Sequence, residues 1–372
     1  MIEYTILISA LVPLLVATYL LLQRRQVPDP NFPPGPPPIP ILGNIHQIPL
    51  TKSFLKFTEW AREYGPILGI HLGSQRAVIL NSWTAVRDLL DQRGAIYSSR
   101  PSLPVVQHIG LEDTHAVFMK YDKNWRRARK SMAEFLKDSE VDKRVEVQNA
   151  EATQMIWEIM NDPSNYREHA LRSFAAVILA TVYGRRGKNA ETKRFFQIQD
   201  EWAALLDQGA TPPFDALPFL RYVPDWATLW RGWRERADGT RRRQGAEYQE
   251  LFQHARERVK QGKAGECFVA KLLREQEKEG YTDFELEYVA GFQLEAGADT
   301  SAMAFLTFIL AMAKFPELQK RAQEEVDALC GDEHMPSEVD AVKLPFLSAC
   351  FWEVSLLLFC LSYLLPGSAI QW

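Results

Sequence analysis

From about Asp283 to Lys314 the chain carries a helical pattern with no proline inside it, and Pro316 follows directly after its end. That is far longer than the roughly three or four turns common in globular proteins. A helix of this length must cross a whole domain, so the fold is organised around it. Its middle reads Ala296-Gly297-Ala298-Asp299-Thr300-Ser301. A glycine inside a helix costs about 1 kcal/mol relative to alanine. An unpaired carboxylate in apolar surroundings costs more. The helix therefore passes something that uses these groups. In one reading, the small residues let a flat or bulky cofactor approach the backbone while Asp299 and Thr300 hold a water chain and pass protons to a buried oxygen species. In the other, Gly297 and the alanines allow a close helix crossing and Asp299 pairs with a neighbour. The six residues alone leave both open.

Helical patterns also dominate elsewhere from Trp125 onward: through Met132 and Phe135, from Val145 to Met160, and along the charged run Asp238 to Lys260. Ser53 to Tyr64 reads as a short amphipathic helix stopped by Gly65-Pro66. Two β-prone runs, Ile67 to Leu72 and Ala77 to Leu80, flank Gly-Ser-Gln-Arg and predict a hairpin. Asn81 or Ser82 caps the helix that follows, through Val86, Leu89 and Leu90 to Gly94. The fold class is mainly α with a small β part near its start. Thr211 to Trp226, rich in proline and aromatics, is a break that lies either on a membrane face or in a buried loop.

Tyr4 to Leu22 is apolar and uncharged, about the roughly 20 residues needed to cross a bilayer. Glu3 before it and Arg24-Arg25 after it fit an anchor better than a cleaved signal, and leave the body in the cytosol. Pro28 to Pro40 is so proline-rich that it reads as a stiff spacer between anchor and body. The net charge of -4 argues against nucleic acid as a partner. Cys267, Cys330, Cys350 and Cys360 form no CxxC pair and have no companion histidine cluster. No zinc site, metal ligand set or disulfide framework is therefore expected.

Trp125-Arg126-Arg127-Ala128-Arg129 places Trp125 and Arg129 on one helical face. An indole N–H beside a guanidinium suits an anionic group such as a carboxylate. A basic surface helix with a cation–π pair is the plainer reading. Leu344-Pro345-Phe346-Leu347 opens a helix through Cys350, Trp352 and Glu353. If buried, Glu353 would want an arginine one turn later, but position 356 is Leu356. The chain then runs into an apolar tail ending at Trp372.

Taken in order, PPGPPPIPILGN, YGPILGIHLGSQRAVILN, YSSRP, WRRAR, AGADTS, KFPELQKRAQEEVD and LPFLSACFWE resemble the cytochrome P-450 monooxygenases, in particular microsomal forms of fungal secondary metabolism. The resemblance spans Tyr4 to Glu353. It implies a cytochrome P-450-like fold with four segments: an anchor over residues 1–23, a proline-rich hinge over 24–45, a partial catalytic domain over 46–353 and an aberrant tail over 354–372.

The resemblance also implies haem b as cofactor, electrons from a membrane-bound NADPH-cytochrome reductase, an apolar small-molecule substrate, and residence in the endoplasmic reticulum membrane with the body facing the cytosol. It casts Trp125 and Arg129 as holders of a haem propionate, and Ala296 and Gly297 as walls of an oxygen-binding groove. Asp299 and Thr300 become the catalytic pair for proton delivery. Glu353 resembles the acidic half of a Glu-x-x-Arg lock, and His108 to His115 a substrate-facing loop. The departures are Leu356 in place of the lock's arginine and the lack of the family's Phe-x-x-Gly-x-x-x-Cys-x-Gly loop, whose thiolate binds iron. Val354-Ser355 is what a splice-donor sequence would encode, so a retained intron is one expectation for the tail. A catalytically inactive truncated pseudoenzyme is the other.

Overall fold

The computed structural model describes residues 29–364 apart from 102, 103, 109–113, 188, 208, 215, 332 and 333, and leaves out the side chains of 104, 105 and 356–364. The expected anchor, Tyr4 to Leu22, lies outside the described residues. Helix α1 is Ser53–Tyr64, followed by strands β1, Ile67–Leu72, and β2, Gln75–Leu80. Nine longer helices then appear among the described residues: α2 Lys123–Phe135, α3 Val145–Asn161, α4 Tyr166–Tyr183, α5 Asn189–Leu206, α6 Trp233–Lys260, α7 Phe268–Glu279, α8 Asp283–Lys314, α9 Pro316–Cys330 and α10 Pro345–Leu364. The architecture is mostly helical with one two-stranded antiparallel sheet, as the sequence predicts.

Helix α8 spans the expected residues because both ends are specified locally. Thr282 and Glu285 form a reciprocal capping box at its start, and Pro316 opens α9 two residues after its end. It is the one helix among the described residues long and apolar enough to cross a membrane. Its N-terminal half instead forms the core: Leu286, Ala290, Leu294 and Ala298 are buried against Leu179 and Tyr183 of α4, Leu251 and Phe252 of α6, and Phe268 and Leu272 of α7. A second cluster joins Trp202, Phe214, Trp233, Tyr248 and Tyr288. A third packs Trp60 of α1 on Leu68 and Ile70 of β1.

The hairpin is tighter than its sequence suggests. Pairing runs from Ile67↔Leu80 to Leu72↔Gln75, so the turn is Gly73-Ser74 alone. Gly73 adopts φ +59, and a Cβ there would lie 1.8 Å from the Ala216 carbonyl oxygen. Only glycine allows that turn and its docking on the 211–217 loop, where Ser74 N–H donates to Ala216 O at 3.2 Å.

The described part of the proline-rich stretch packs on the body and is not a free-standing spacer. Prolines cannot donate, but their carbonyls accept: Gly69 N–H donates to Pro34 O at 2.9 Å, and Asn44 Nδ2 to Pro36 O at 3.0 Å. The buried Asn44 also accepts from His71 N–H at 2.7 Å, and Phe32 stacks beside His71.

Past the hairpin, Ser82 caps a short helix, Trp83–Val86, that widens into a π-turn over Arg87–Asp91. The proline–aromatic break is buried in one part and exposed in another. Phe214 and Ala216 are buried, while Phe219, Tyr222, Trp226 and Leu229 project outward, Tyr222 and Leu229 being 89% and 93% exposed.

Candidate functional site

The six residues at the middle of α8 divide between faces. Ala296 and Thr300, four apart, stand one above the other where the helix surface is open, and Thr300 Oγ1 donates to the Ala296 carbonyl. Gly297 points to α4 instead. A Cβ there would lie 2.7 Å from Ile178 Cδ1 and 3.0 Å from its Cγ1. The packing reading is thus supported for Gly297, whose bare backbone makes room for the Ile178 side chain; a Cβ there would require that isoleucine to shift.

Asp299 turns into a polar cavity of about 530 Å³ whose wall includes Arg167, His169, Lys193 and Asp200. The carboxylate keeps access to water, yet burial and the like charge of Asp200 raise its pKa against the pull of Arg167.

On α2, Asp122 caps the helix by accepting from Trp125 N–H at 2.9 Å. Trp125 is half-buried against Tyr121, with ring centroids 5.1 Å apart. Arg129 is exposed and makes no hydrogen bond or ion pair among the described residues. Its neighbour Arg127 is committed: it donates to the carbonyls of Glu279 and Gly280, pairs with Glu285 and covers the Tyr281 ring. Of these two arginines, Arg129 alone keeps a guanidinium free for an anion. Helices α2 and α8 are neighbours, but no hydrogen bond joins Trp125 or Arg129 to residues 296–300 among the described residues.

Sequence reasoning missed a buried polar node one residue before the open face. Glu295 Oε2 meets His115 Nε2 at 2.5 Å, and Oε1 accepts from Gln199 at 2.9 Å and Gln244 at 2.7 Å. The side chains of His115 and Glu295 are 4% and 9% exposed. Burial pushes the Glu295 pKa up, but the His115 charge and the hydrogen bonds of His115 and Gln199 more than offset this, and the carboxyl sits below its usual value. The node ties the segment around His115, within the expected substrate-facing loop, to α5, α6 and α8. A carboxylate in the apolar run before Ala296 was the available signal. Its partner, 180 residues away, was not visible.

Glu353 is exposed and makes no ion pair among the described residues, contrary to the burial considered for it. The start of α10 is held by Glu325, which accepts from the N–H groups of Phe346 and Leu347. Cys267 is buried at the N-terminus of α7, where burial pushes its thiol pKa up. Cys330 ends α9, and Cys350 lies within α10. None of the three lies near Ala296, Thr300, Trp125 or Arg129 in a loop of the family's haem-binding pattern. The side chain of Cys360 lies outside the described residues. Among the described residues, then, Arg129 is an exposed guanidinium beside Trp125, Ala296 and Thr300 mark an open stretch of α8, and no cysteine stands near either.

A family model described as Cytochrome P-450 matches residues 33–355, ending two residues past Glu353. A cytochrome P-450 monooxygenase of Arthrobotrys oligospora is 37% identical over 331 residues, 87% of this chain and 61% of that protein. The cytochrome P-450 monooxygenase macC of Penicillium terrestre is 33% identical over 331 residues, 86% of this chain and 61% of its own length. The cytochrome P-450 monooxygenase patI of Penicillium expansum is 31% identical over 352 residues, 94% of this chain and 66% of its own. The chain spans about three fifths of the length of these relatives.

Proposed function

Because this chain belongs to the cytochrome P-450 family, we propose that it forms the membrane anchor, distal wall and substrate-facing part of a haem-thiolate monooxygenase of fungal secondary metabolism that oxidises an apolar small molecule. The observation that carries the reading is the stacking of Ala296 and Thr300 on the open face of α8, with Asp299 one residue away in a water-accessible polar cavity.

The family implies haem as cofactor, and haem b bound through a cysteine thiolate supplies oxygen activation by electron donation to the iron. Arg129, with the Trp125 indole N–H on the same face of α2, would hold a propionate. Ala296 leaves room at the open face without adding polar groups. The raised pKa of Asp299 suits it to take protons from cavity water, and the Thr300 hydroxyl, whose proton goes to the Ala296 carbonyl, offers its oxygen as an acceptor on the open face. The family's iron-binding cysteine sits in a Phe-x-x-Gly-x-x-x-Cys-x-Gly loop, and no such loop occurs in these 372 residues. Electrons come from an NADPH-cytochrome reductase on the same membrane.

A chimera joining residues 1–353 to the remaining C-terminal part of the Penicillium terrestre relative tests this reading. It is expected to bind haem with a thiolate-type spectrum when reduced under carbon monoxide, and to consume dioxygen with NADPH and reductase. A folded chimera that binds no haem, or binds it and consumes no dioxygen above a reductase-only control, contradicts the proposal.

The membrane assignment rests on two features: the apolar run Tyr4 to Leu22, and the outward side chains Phe219, Tyr222, Trp226 and Leu229. Amphipathic aromatic residues of this kind favour the interfacial zone of a bilayer. A chain lacking residues 1–23 is expected to sediment with phospholipid vesicles through that patch. Changing Tyr222, Trp226 and Leu229 together to serine should lower the vesicle partition coefficient by about a hundredfold or more, since three apolar side chains at on the order of 1–2 kcal/mol each sum to about 3–6 kcal/mol. Equal sedimentation of both forms removes the patch from the account.

A second reading, an inactive chain of the same family, is favoured by the missing cysteine loop. It makes the same prediction for these 372 residues alone and parts from the first on the chimera.

A further inference from the structure

The sequence reading expects no metal ligands, yet the fold draws a thiol, an imidazole and a carboxylate together where α9 ends. One ligand atom from each of Cys330, His334 and Asp340 lies within 4.8 Å of the others. Cys330 and Asp340 are buried, and His334, 49% exposed at its side chain, closes over them with Nε2 3.6 Å from Asp340 Oδ2. We propose that Cys330, His334 and Asp340 form a binding site for a single zinc-class divalent cation that staples the connection between α9 and α10.

Zinc bonds of about 2.0–2.3 Å in tetrahedral geometry hold ligand atoms roughly 3.3–3.8 Å apart, so the observed separations need only small side-chain adjustments. His334 is the side chain free to make them. Mixed sulfur, nitrogen and oxygen donors select zinc or cobalt over magnesium and calcium, which prefer oxygen alone. The spacing Cys-x3-His-x5-Asp closes a short loop, so little chain entropy opposes assembly.

The carboxylate is already oriented. Ser337 N–H and Oγ–H donate to Asp340 Oδ2 at 3.0 and 2.6 Å, the kind of outer hydrogen bonds that fix a metal-bound carboxylate. The opposing group is Lys343, whose Nζ is 3.7 Å from Asp340 Oδ1. Its side chain is 60% exposed and can swing to solvent when a cation arrives. Without a metal, Asp340 serves only as the cap of the short helix Glu338–Lys343, and Cys330 only as a small apolar group.

Titrating the reduced, chelator-treated full chain with cobalt(II) alone and then displacing it with zinc tests the site. The expected result is one tightly bound equivalent, a thiolate-to-cobalt charge-transfer band that zinc abolishes, and a higher Tm with zinc. His334→Ala, at an exposed position that leaves folding intact, should weaken binding by about tenfold or more and Cys330→Ala should remove the band. A folded wild-type chain with no stoichiometric band overturns the proposal, as does a band that persists unchanged in both variants.

Discussion

Replacing Glu295 with alanine is expected to destabilise the chain by about 3–5 kcal/mol, among the largest effects of any single substitution outside the apolar core. The loss comes less from the ion pair itself than from what remains behind. His115, Gln199 and Gln244 all direct donors at this carboxylate, and its removal leaves them buried without a partner. Glu295→Gln, which keeps the volume and an acceptor oxygen, should cost less.

The pH dependence follows from the sign of the shift. The folded-state pKa of Glu295 lies below its usual value of 4.5, so the unfolded chain binds the proton more readily. The stabilisation is complete above that usual value and is lost as pH falls through the folded one. Urea unfolding of the wild type should therefore show an acid limb that is shallower in Glu295→Gln. A change of less than about 1 kcal/mol in Glu295→Ala would mean that the node is open to water. Amide exchange should quicken around His115 to Tyr121 in the alanine variant, since this node is what ties that segment to α8.

Gly297→Val should cost about 1–3 kcal/mol, because its Cβ would start 2.7 Å from Ile178 Cδ1 and force that side chain to shift. The partner substitution makes the cause visible. Ile178→Ala alone opens a void, but in the double variant the valine fills it, and the two effects should be strongly non-additive in thermal unfolding. Additive losses would place the glycine's role elsewhere than in this contact. Such non-additivity would set Gly297, which faces Ile178 of α4, apart from Ala296 and Thr300 on the open face.

The features read correctly from sequence are those fixed by neighbours in the chain. Both ends of α8 are written locally, in the Thr282–Glu285 capping box and in Pro316, and α1 is bounded as predicted by Ser53 and Gly65. What failed needed partners from afar. The proline-rich stretch reads as a spacer on donor count alone, but its carbonyls are acceptors for β1 and Asn44. The hairpin turn is two residues shorter than expected because Gly73 is drawn against Ala216.

The candidate site was legible as a set of residue types but not as a geometry. One six-residue run serves an open face, a helix crossing and a polar cavity at once, because successive helical positions turn by about 100°. Glu295 escaped notice beside that run since a carboxylate announces itself only with its partner. Cys330, His334 and Asp340 match no familiar zinc spacing, and only the turn after α9 brings them together.

The proposed function gives these 372 residues the distal side of a haem-thiolate site, and their sequence holds no Phe-x-x-Gly-x-x-x-Cys-x-Gly loop to supply the thiolate. The most direct test is the reduced, carbon-monoxide-bound absorption spectrum of the purified chain after reconstitution with haem. No Soret band of the thiolate-ligated type is expected, even where haem is retained through Arg129 and the open face of α8. A stoichiometric thiolate-type band from this chain alone would contradict this and would require one of its four cysteines to reach the iron.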